Sequence, residues 1–139
     1  LDADLAPGYY LSVARMLVAM PDRGVDEALE VLDARMREVG PLSSLQRYAI
    51  ELEKERGNYE QAIERLATLD PKLRATPEWQ AEVAELLLMA GQPEDALMYI
   101  SLAQEQLAVL KMTGARRRLA MGLDGLKREA QEAVARSSS

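Results

Sequence analysis

The stretch of sequence that decides the fold is residues 57–71, which read GNYEQAIERLATLDP. It opens with Gly57, a residue suited to a tight turn, and ends with Pro71, which cannot continue a helix. Between them, apolar residues recur at steps of three and four, the spacing of one face of an amphipathic helix. The stretch therefore predicts one helix, over about residues 59–69, entered through a turn and closed by Asp70-Pro71. Its apolar face consists of Tyr59, Ala62, Ile63, Leu66 and Leu69.

The same arrangement recurs on either side of this stretch at one fixed interval. The turn glycines Gly57 and Gly91 are 34 apart, and Arg23-Gly24 stands at the equivalent place before them. Such a period is typical of repeat proteins whose units stack on one another. The aligned columns are Ala28, Ala62 and Ala96; Leu29, Ile63 and Leu97; Leu32, Leu66 and Ile100; Leu11, Leu45 and Trp79; and Val18, Leu52 and Leu86.

Each repeat reads as two helices, so the sequence predicts an all-α fold, an α-solenoid of antiparallel helix pairs. The composition agrees, because strong helix formers dominate and β-branched residues are few. We predict a single domain over residues 1–139, with repeats at about residues 9–42, 43–76 and 77–110. A capping helix over about residues 115–136, derived from a worn fourth repeat, follows them.

Two helix starts are predicted from capping residues. Ser43 followed by Gln46 is the capping-box pattern, which predicts Ser43 as an N-cap. Thr76 followed by Pro77 predicts a second N-cap, since proline is favoured at the first helical position. We interpret Trp79 and the methionines as core residues rather than as a ligand platform.

The residue types that carry most enzyme chemistry are missing, because the chain has no cysteine and no histidine. Disulfides and thiolate metal sites are thereby excluded, and the commonest general base is absent. No glycine-rich phosphate loop accompanies the carboxylates that remain. We therefore expect that the protein is not an enzyme and has no cofactor.

Sequence signals for a compartment are weak. No apolar run approaches the roughly 20 residues that span a bilayer, and the start carries no signal-peptide pattern. These observations slightly favour the cytoplasm. The chain begins with Leu1 rather than Met, so a fragment that lacks its signal is an open alternative. The Ala, Arg, Glu and Leu bias suggests a bacterial origin.

The repeat resembles the tetratricopeptide repeat (TPR) family, which has this 34-residue period. The family motif places glycine and tyrosine at the turn, then alanine and a bulky apolar residue in the second helix. Residues 57–66 match it closely, whereas residues 91–100 have Pro93 in place of the tyrosine. The resemblance covers about residues 9–110. It implies an α-solenoid that binds a partner in a concave groove lined by the first helix of each repeat.

The groove positions of the family carry over to apolar residues in the first repeat and mainly to charged residues in the next two. In some family members, five of these positions clamp a C-terminal carboxylate through Lys, Asn and Arg. Those five are Val13, Leu17, Tyr48, Glu78 and Glu82 here, which disfavours that ligand. The predicted partner-binding residues are Tyr10, Val13, Leu17, Arg47, Tyr48, Glu51, Glu55, Glu78, Glu82 and Glu85.

An acidic groove predicts a basic or amphipathic partner segment, because complementary charges favour encounter and specificity. The alternative is a solvated face of a Glu-rich helical protein. The lead hypothesis for function is a non-enzymatic scaffold that binds a protein or peptide partner. A homo-oligomeric assembly module and a ligand-sensing regulatory domain of a larger protein stay open as alternatives.

Charge is distributed unevenly along the chain. Residues 1–110 carry 10 Lys and Arg against 20 Asp and Glu, whereas residues 111–139 carry 7 against 3. The basic tail centres on Arg116, Arg117 and Arg118. It is interpreted as a solvated helix face, as a segment that docks in an acidic groove in cis or on a second molecule, or as a nucleic-acid or anionic-membrane contact. The acidic body disfavours nucleic acid and membrane.

Overall fold

The computed structural model describes residues 6–138, and these residues form helices and no strand. The all-α prediction is confirmed. No helix in this range has both the length and the apolar character needed to cross a bilayer. In chain order the helices are α1 (Pro7–Val18), α2 (Gly24–Val39), α3 (Ser43–Glu55), α4 (Tyr59–Leu66), α5 (Pro71–Arg74), α6 (Pro77–Met89), α7 (Pro93–Val109) and α8 (Gly114–Ser138).

The chain divides into two compact units at the junction between residues 69 and 70. Unit 1 holds α1 to α4, and unit 2 holds α5 to α8. The boundary falls inside the second predicted repeat, between α4 and α5.

Unit 1 is built from two packed helix pairs, α1 with α2 and α3 with α4, and α3 also contacts α1 and α2. The apolar columns read from the sequence supply its core. Ala28 and Leu32 of α2 are fully buried beside Leu45 and Ala49 of α3. Full burial of one such leucine contributes roughly 1.5–3 kcal/mol, and the alanines allow the helix backbones to approach closely.

The turn between α1 and α2 differs from the one that the repeat alignment predicts. Gly57 and Gly91 have the positive φ of a turn glycine, +78° and +79°, but the residue with positive φ in the first turn is Asp22. Gly24 is already helical and buried. A Cβ on Gly24 would collide with the carbonyl oxygen of Leu17, so this glycine is required by the close approach of α2 to α1.

Unit 2 is organised around α7, which packs against both α6 and α8. Leu86 of α6, Ile100 of α7 and Leu123 of α8 are almost completely buried. One face of α8 packs against this core, since Leu123 and Ala130 are buried and Leu119 and Leu126 are half-buried. A helix therefore covers the predicted range 115–136, with bounds at Gly114 and Ser138, and its role as a cap stays a prediction.

The helix ends show where local sequence signals succeed and fail. Thr76 is the N-cap of α6, and its side chain accepts a hydrogen bond from the backbone N–H of Trp79, as predicted. Ser43 is not a cap, because α3 begins at Ser43 itself and Leu42 is the N-cap residue. The predicted helix over 59–69 ends at Leu66 instead. Beyond it, Asp70 and Pro71 open the short helix α5 instead of only closing α4.

Candidate functional site

The predicted groove residues on α1 are half-buried rather than open. Tyr10 and Leu17 pack against the core of unit 1. The guanidinium of Arg35 lies 4.7 Å from the centroid of the Tyr10 ring, and the Tyr9 ring meets Tyr10 edge-on at 5.2 Å. Val13 is also half-buried. The predicted groove residues on α1 therefore pack within unit 1 and are only partly accessible to a partner.

The predicted groove residues on α3 lie beside α1. The guanidinium of Arg15 on α1 lies 5.4 Å from the ring centroid of Tyr48, so a cation–π contact joins the two helices. Glu51 is exposed and pairs loosely with Lys54 at 3.8 Å. Arg47 and Glu55 are exposed. The α3 surface is therefore polar and accessible, with Tyr48 as its half-buried edge.

The remaining predicted groove residues form a stripe on α6 in unit 2. Glu78, Glu82 and Glu85 follow one another at steps of four and three, which places them on one helix face. Glu78 and Glu85 are exposed, and Glu82 is half-buried. A single groove that joins the α3 surface to this stripe stays a prediction.

A cleft of about 520 Å³ between α1 and α2 was not foreseen from the sequence. Among its lining residues, Leu17 alone had been predicted as a binding residue. Glu27 and Glu30 are exposed, and neither side chain has a hydrogen bond or ion pair among the described residues. We call this surface the α1–α2 cleft; its lining residues are Leu17, Arg23, Glu27, Glu30, Val31 and Ala34.

The cleft follows from the helical spacing of α2. Glu27, Glu30, Val31 and Ala34 stand at i, i+3, i+4 and i+7, so they share one face of the helix. Their signal is present in the sequence. The resemblance to the TPR family draws attention away from this pattern, because it implies a groove lined by the first helix of each repeat.

A second polar feature of unit 1 is a cluster around Arg65 on α4. The Arg65 guanidinium donates to both carboxylate oxygens of Asp33, at 2.8 and 2.9 Å, and its Nε donates to Glu53 Oε2 at 3.2 Å. Arg65 Nη1 also donates to Gln46 Oε1 at 2.8 Å. Gln46 Nε2 in turn donates to Thr68 Oγ1 at 2.8 Å. The cluster joins α2, α3 and α4.

This cluster is built to hold helices together. The hydrogen bond and the charge of Asp33, with those of Glu53, raise the pKa of Arg65 despite the opposing effect of burial. A neighbouring cleft of about 250 Å³ includes Asp33, Gln46 and Thr68 in its lining, but these groups already have partners inside the cluster. The polar atoms of this cluster therefore bind one another and hold the helices together. No repeating pattern in the sequence predicts these contacts.

No metal site is evident within residues 6–138, where no group of three or more acidic side chains is arranged to hold an ion.

The predicted basic tail lies at the start of α8. The backbone N–H of Arg116 donates to Thr113 Oγ1 at 3.1 Å, and its side chain donates to the Lys111 carbonyl at 2.5 Å. Arg117 and Arg118 are exposed. The side chain of Arg118 lies back toward Gly114 at the start of the helix. The three arginines thus occupy the first turns of α8, beside the loop that leaves α7.

Comparisons of the chain with protein-family models, with curated proteins and with solved structures found no match.

Proposed function

We propose that this chain is a non-enzymatic interaction module of the TPR-like α-solenoid type, and that it binds a basic, amphipathic protein segment. The observation that carries the proposal is the α1–α2 cleft. Leu17, Val31 and Ala34 give its lining apolar, half-buried surface, and the exposed carboxylates of Glu27 and Glu30 have no hydrogen bond or ion pair among the described residues.

This chemistry selects its ligand in two ways. An apolar lining favours burial of leucine-like side chains, at roughly 25 cal/mol for each Å² removed from water. Carboxylates beside it favour lysine or arginine on the same segment and disfavour anions. An amphipathic helix that places apolar and basic residues on adjacent faces meets both requirements. Arg23 also lines the cleft, but the two carboxylates outnumber its single charge.

The repeat columns support the TPR-like part of the proposal. Ala28, Ala62 and Ala96, one from each predicted repeat, are each 0% exposed. The helices that each predicted repeat pairs, α1 with α2, α3 with α4 and α6 with α7, are packed partners.

The test is direct binding of a defined probe. The probe is a fluorescein-labelled helical peptide made of leucine and lysine at amphipathic spacing, and fluorescence anisotropy measures its Kd. The double variant Glu27→Lys, Glu30→Lys should weaken binding about tenfold or more and reduce its dependence on salt, because two favourable charges become repulsive.

A matched control makes the same change of charge elsewhere in unit 1. Glu60 and Glu64 on α4 are exposed and lie outside the α1–α2 cleft. The variant Glu60→Lys, Glu64→Lys should bind the peptide within about twofold of the parent chain, apart from the small effect of net charge. Equal losses in both variants, or no loss in either, would show that the cleft is not the binding site.

A further inference from the structure

The loop and helix start that join α7 to α8 expose apolar and cationic side chains together. Val109 is 84% exposed, and Leu110 and Met112 are 37% and 46% exposed. Lys111 lies between these apolar residues, and Arg117 and Arg118 follow in α8. None of the three side chains forms an ion pair among the described residues. We call this surface the α7–α8 corner; it consists of Val109, Leu110, Lys111, Met112, Arg117 and Arg118.

The positive charge at this corner has the same sign as the adjacent end of the α8 helix dipole, which is unfavourable. The start of a helix carries a partial positive charge that favours acidic residues, yet the first turn of α8 contains none. Arg116, Arg117 and Arg118 instead concentrate positive charge there. An anionic partner at the corner would offset this repulsion. Exposed apolar residues at the same place require that the partner also offer an apolar surface.

The α1–α2 cleft of unit 1 has both properties that the corner requires. Glu27 and Glu30 supply exposed negative charge with no partner among the described residues, and Leu17, Val31 and Ala34 supply apolar lining. We propose that the α7–α8 corner of one copy binds the α1–α2 cleft of a second copy, so that the chain assembles with itself. This inference rests on the cleft's proposed role as a receptor for a basic, amphipathic segment, and it names that segment.

A second copy fits the corner better than a phosphate surface does. A nucleic-acid backbone would satisfy the arginines but leave Val109 and Met112 without an apolar receptor. An anionic membrane would receive both, but the chain as a whole carries a net charge of −6, which opposes approach to such a surface. The protein itself contains an acidic and apolar receptor of matching chemistry.

A charge-swap experiment on the full chain tests this pairing. Variant one carries Arg117→Glu and Arg118→Glu, so that its corner and cleft are both acidic. Variant two carries Glu27→Arg and Glu30→Arg, so that both are basic. Sedimentation velocity over a range of concentrations should show self-association of the parent chain that weakens with salt. Each variant alone should associate about tenfold or more weakly.

Mixing the two variants gives the decisive result. In a 1:1 mixture, the acidic corner of variant one meets the basic cleft of variant two, and the unchanged corner of variant two meets the unchanged cleft of variant one. Association should therefore return to near the parental strength. The control Lys127→Glu, Arg128→Glu changes two exposed cations of α8 that lie outside the corner, and it should associate like the parent.

Four outcomes would overturn the inference. These are a parent chain that stays monomeric at all concentrations, a mixture that stays dissociated, loss of association in the Lys127/Arg128 control, and association lost in variant one but kept in variant two. Monomeric protein that sediments with phosphatidylserine vesicles through Arg117 and Arg118 would assign the corner to membranes instead. If the parent is monomeric while it still binds the leucine–lysine peptide through Glu27 and Glu30, the proposed function stands and the self-assembly alone fails.

Discussion

Arg65 on α4 and Asp33 on α2 form a bidentate ion pair, with Nη1 2.8 Å from Oδ1 and Nη2 2.9 Å from Oδ2. The planar fork of arginine matches a carboxylate in this way, which fixes both the distance and the orientation of the two side chains. Glu53 on α3 completes the arrangement at 3.2 Å from Arg65 Nε. The position of α4 in unit 1 therefore depends on a polar contact as well as on the apolar repeat column.

Removal of Arg65 should strongly destabilise unit 1. Glu53 is only 4% exposed, and the variant Arg65→Met would leave it with the exposed Arg56 as its remaining cation at 3.3 Å. Breaking a buried pair by deleting one partner typically costs about 3–5 kcal/mol, and because Asp33 stays partly solvated we expect about 3 kcal/mol. Urea unfolding followed by circular dichroism measures this change in the free energy of unfolding.

The control for Arg65 is an ion pair at the surface that has a single contact. Arg56 Nη1 lies 2.6 Å from Asp26 Oδ1, and both side chains are substantially exposed to solvent. Asp26→Asn should cost less than about 1 kcal/mol, because solvent screens the pair. Equal costs for Arg65→Met and Asp26→Asn would refute a structural role for the buried cluster.

The stabilisation from Arg65 should not depend on pH near neutrality. Asp33 and Glu53 raise the pKa of Arg65 in the folded chain above its value in the unfolded chain. A group of this kind stabilises fully at any pH below its unfolded pKa and loses the effect as pH rises through its folded pKa. Both values lie far above neutrality. The difference between the parent chain and Arg65→Met should therefore stay constant from about pH 6 to pH 9, measured by urea unfolding.

The difference between Ala62 and Arg65 explains what could be predicted from the sequence. Ala62 belongs to a column that recurs in every repeat, so its burial followed from the period. Arg65 has no counterpart in the other repeats, where Val31 and Tyr99 stand at the equivalent places. On helices rich in charge, the sequence position of an arginine does not reveal whether its partner is water or a distant carboxylate. The partner of Arg65 is set by the tertiary packing of α2, α3 and α4.

The candidate site also contains features that could be predicted from the sequence and features that could not. Glu51, Glu55, Glu78 and Glu85 were expected to be accessible, and they are exposed. Tyr10 was predicted to line a groove from family positions, which do not report how closely Arg35 stacks on its ring. Most of the α1–α2 cleft is lined by α2, a second helix, whereas the resemblance implies a groove lined by first helices. Helix spacing placed its residues on one face, but the opening beside α1 depends on how the two helices pack.

Gln46 and Gln80 stand at equivalent places in two repeats and should respond oppositely to the same substitution. Both side chains are buried. Gln46 donates to Thr68 and accepts from Arg65, whereas the Oε1 of Gln80 has no hydrogen-bond partner within residues 6–138. Gln46→Met should lower the free energy of unfolding by about 1–3 kcal/mol, because it leaves partners unsatisfied. Gln80→Met should leave it unchanged or raise it by about 1 kcal/mol, since it removes an unpaired buried oxygen.

Thermal unfolding of both variants provides the measurement, and each serves as the control for the other. The substitution has the same shape and chemistry at both positions. A similar loss for Gln46→Met and Gln80→Met would mean that the hydrogen bonds of Gln46 contribute nothing beyond packing.

Glycine-to-alanine substitutions should separate a packing glycine from a dispensable one. Gly24→Ala would place its Cβ against the Leu17 carbonyl and force α2 away from α1, at a cost of about 1–3 kcal/mol. Gly122 lies within α8 with nothing within 4 Å of the position of a Cβ. Gly122→Ala should stabilise unit 2 by roughly 0.5–1 kcal/mol, because alanine is the better helix former. Urea unfolding of both variants measures the signs, and a gain from Gly24→Ala would contradict the close approach of α1 and α2.

One pair of alanine substitutions should distinguish the predicted N-cap that forms from the one that does not. Thr76 Oγ1 accepts from the backbone N–H of Trp79 at 3.3 Å and donates to the Leu73 carbonyl at 2.6 Å. Thr76→Ala should therefore cost about 1 kcal/mol in thermal unfolding, and Thr76→Ser, which keeps the hydroxyl, should recover most of it. Ser43 makes no capping bond, because the N-cap residue of α3 is Leu42. Ser43→Ala should change the unfolding free energy by less than about 0.5 kcal/mol. A loss near that of Thr76→Ala would restore the capping box that the sequence predicts and move the start of α3 by one residue.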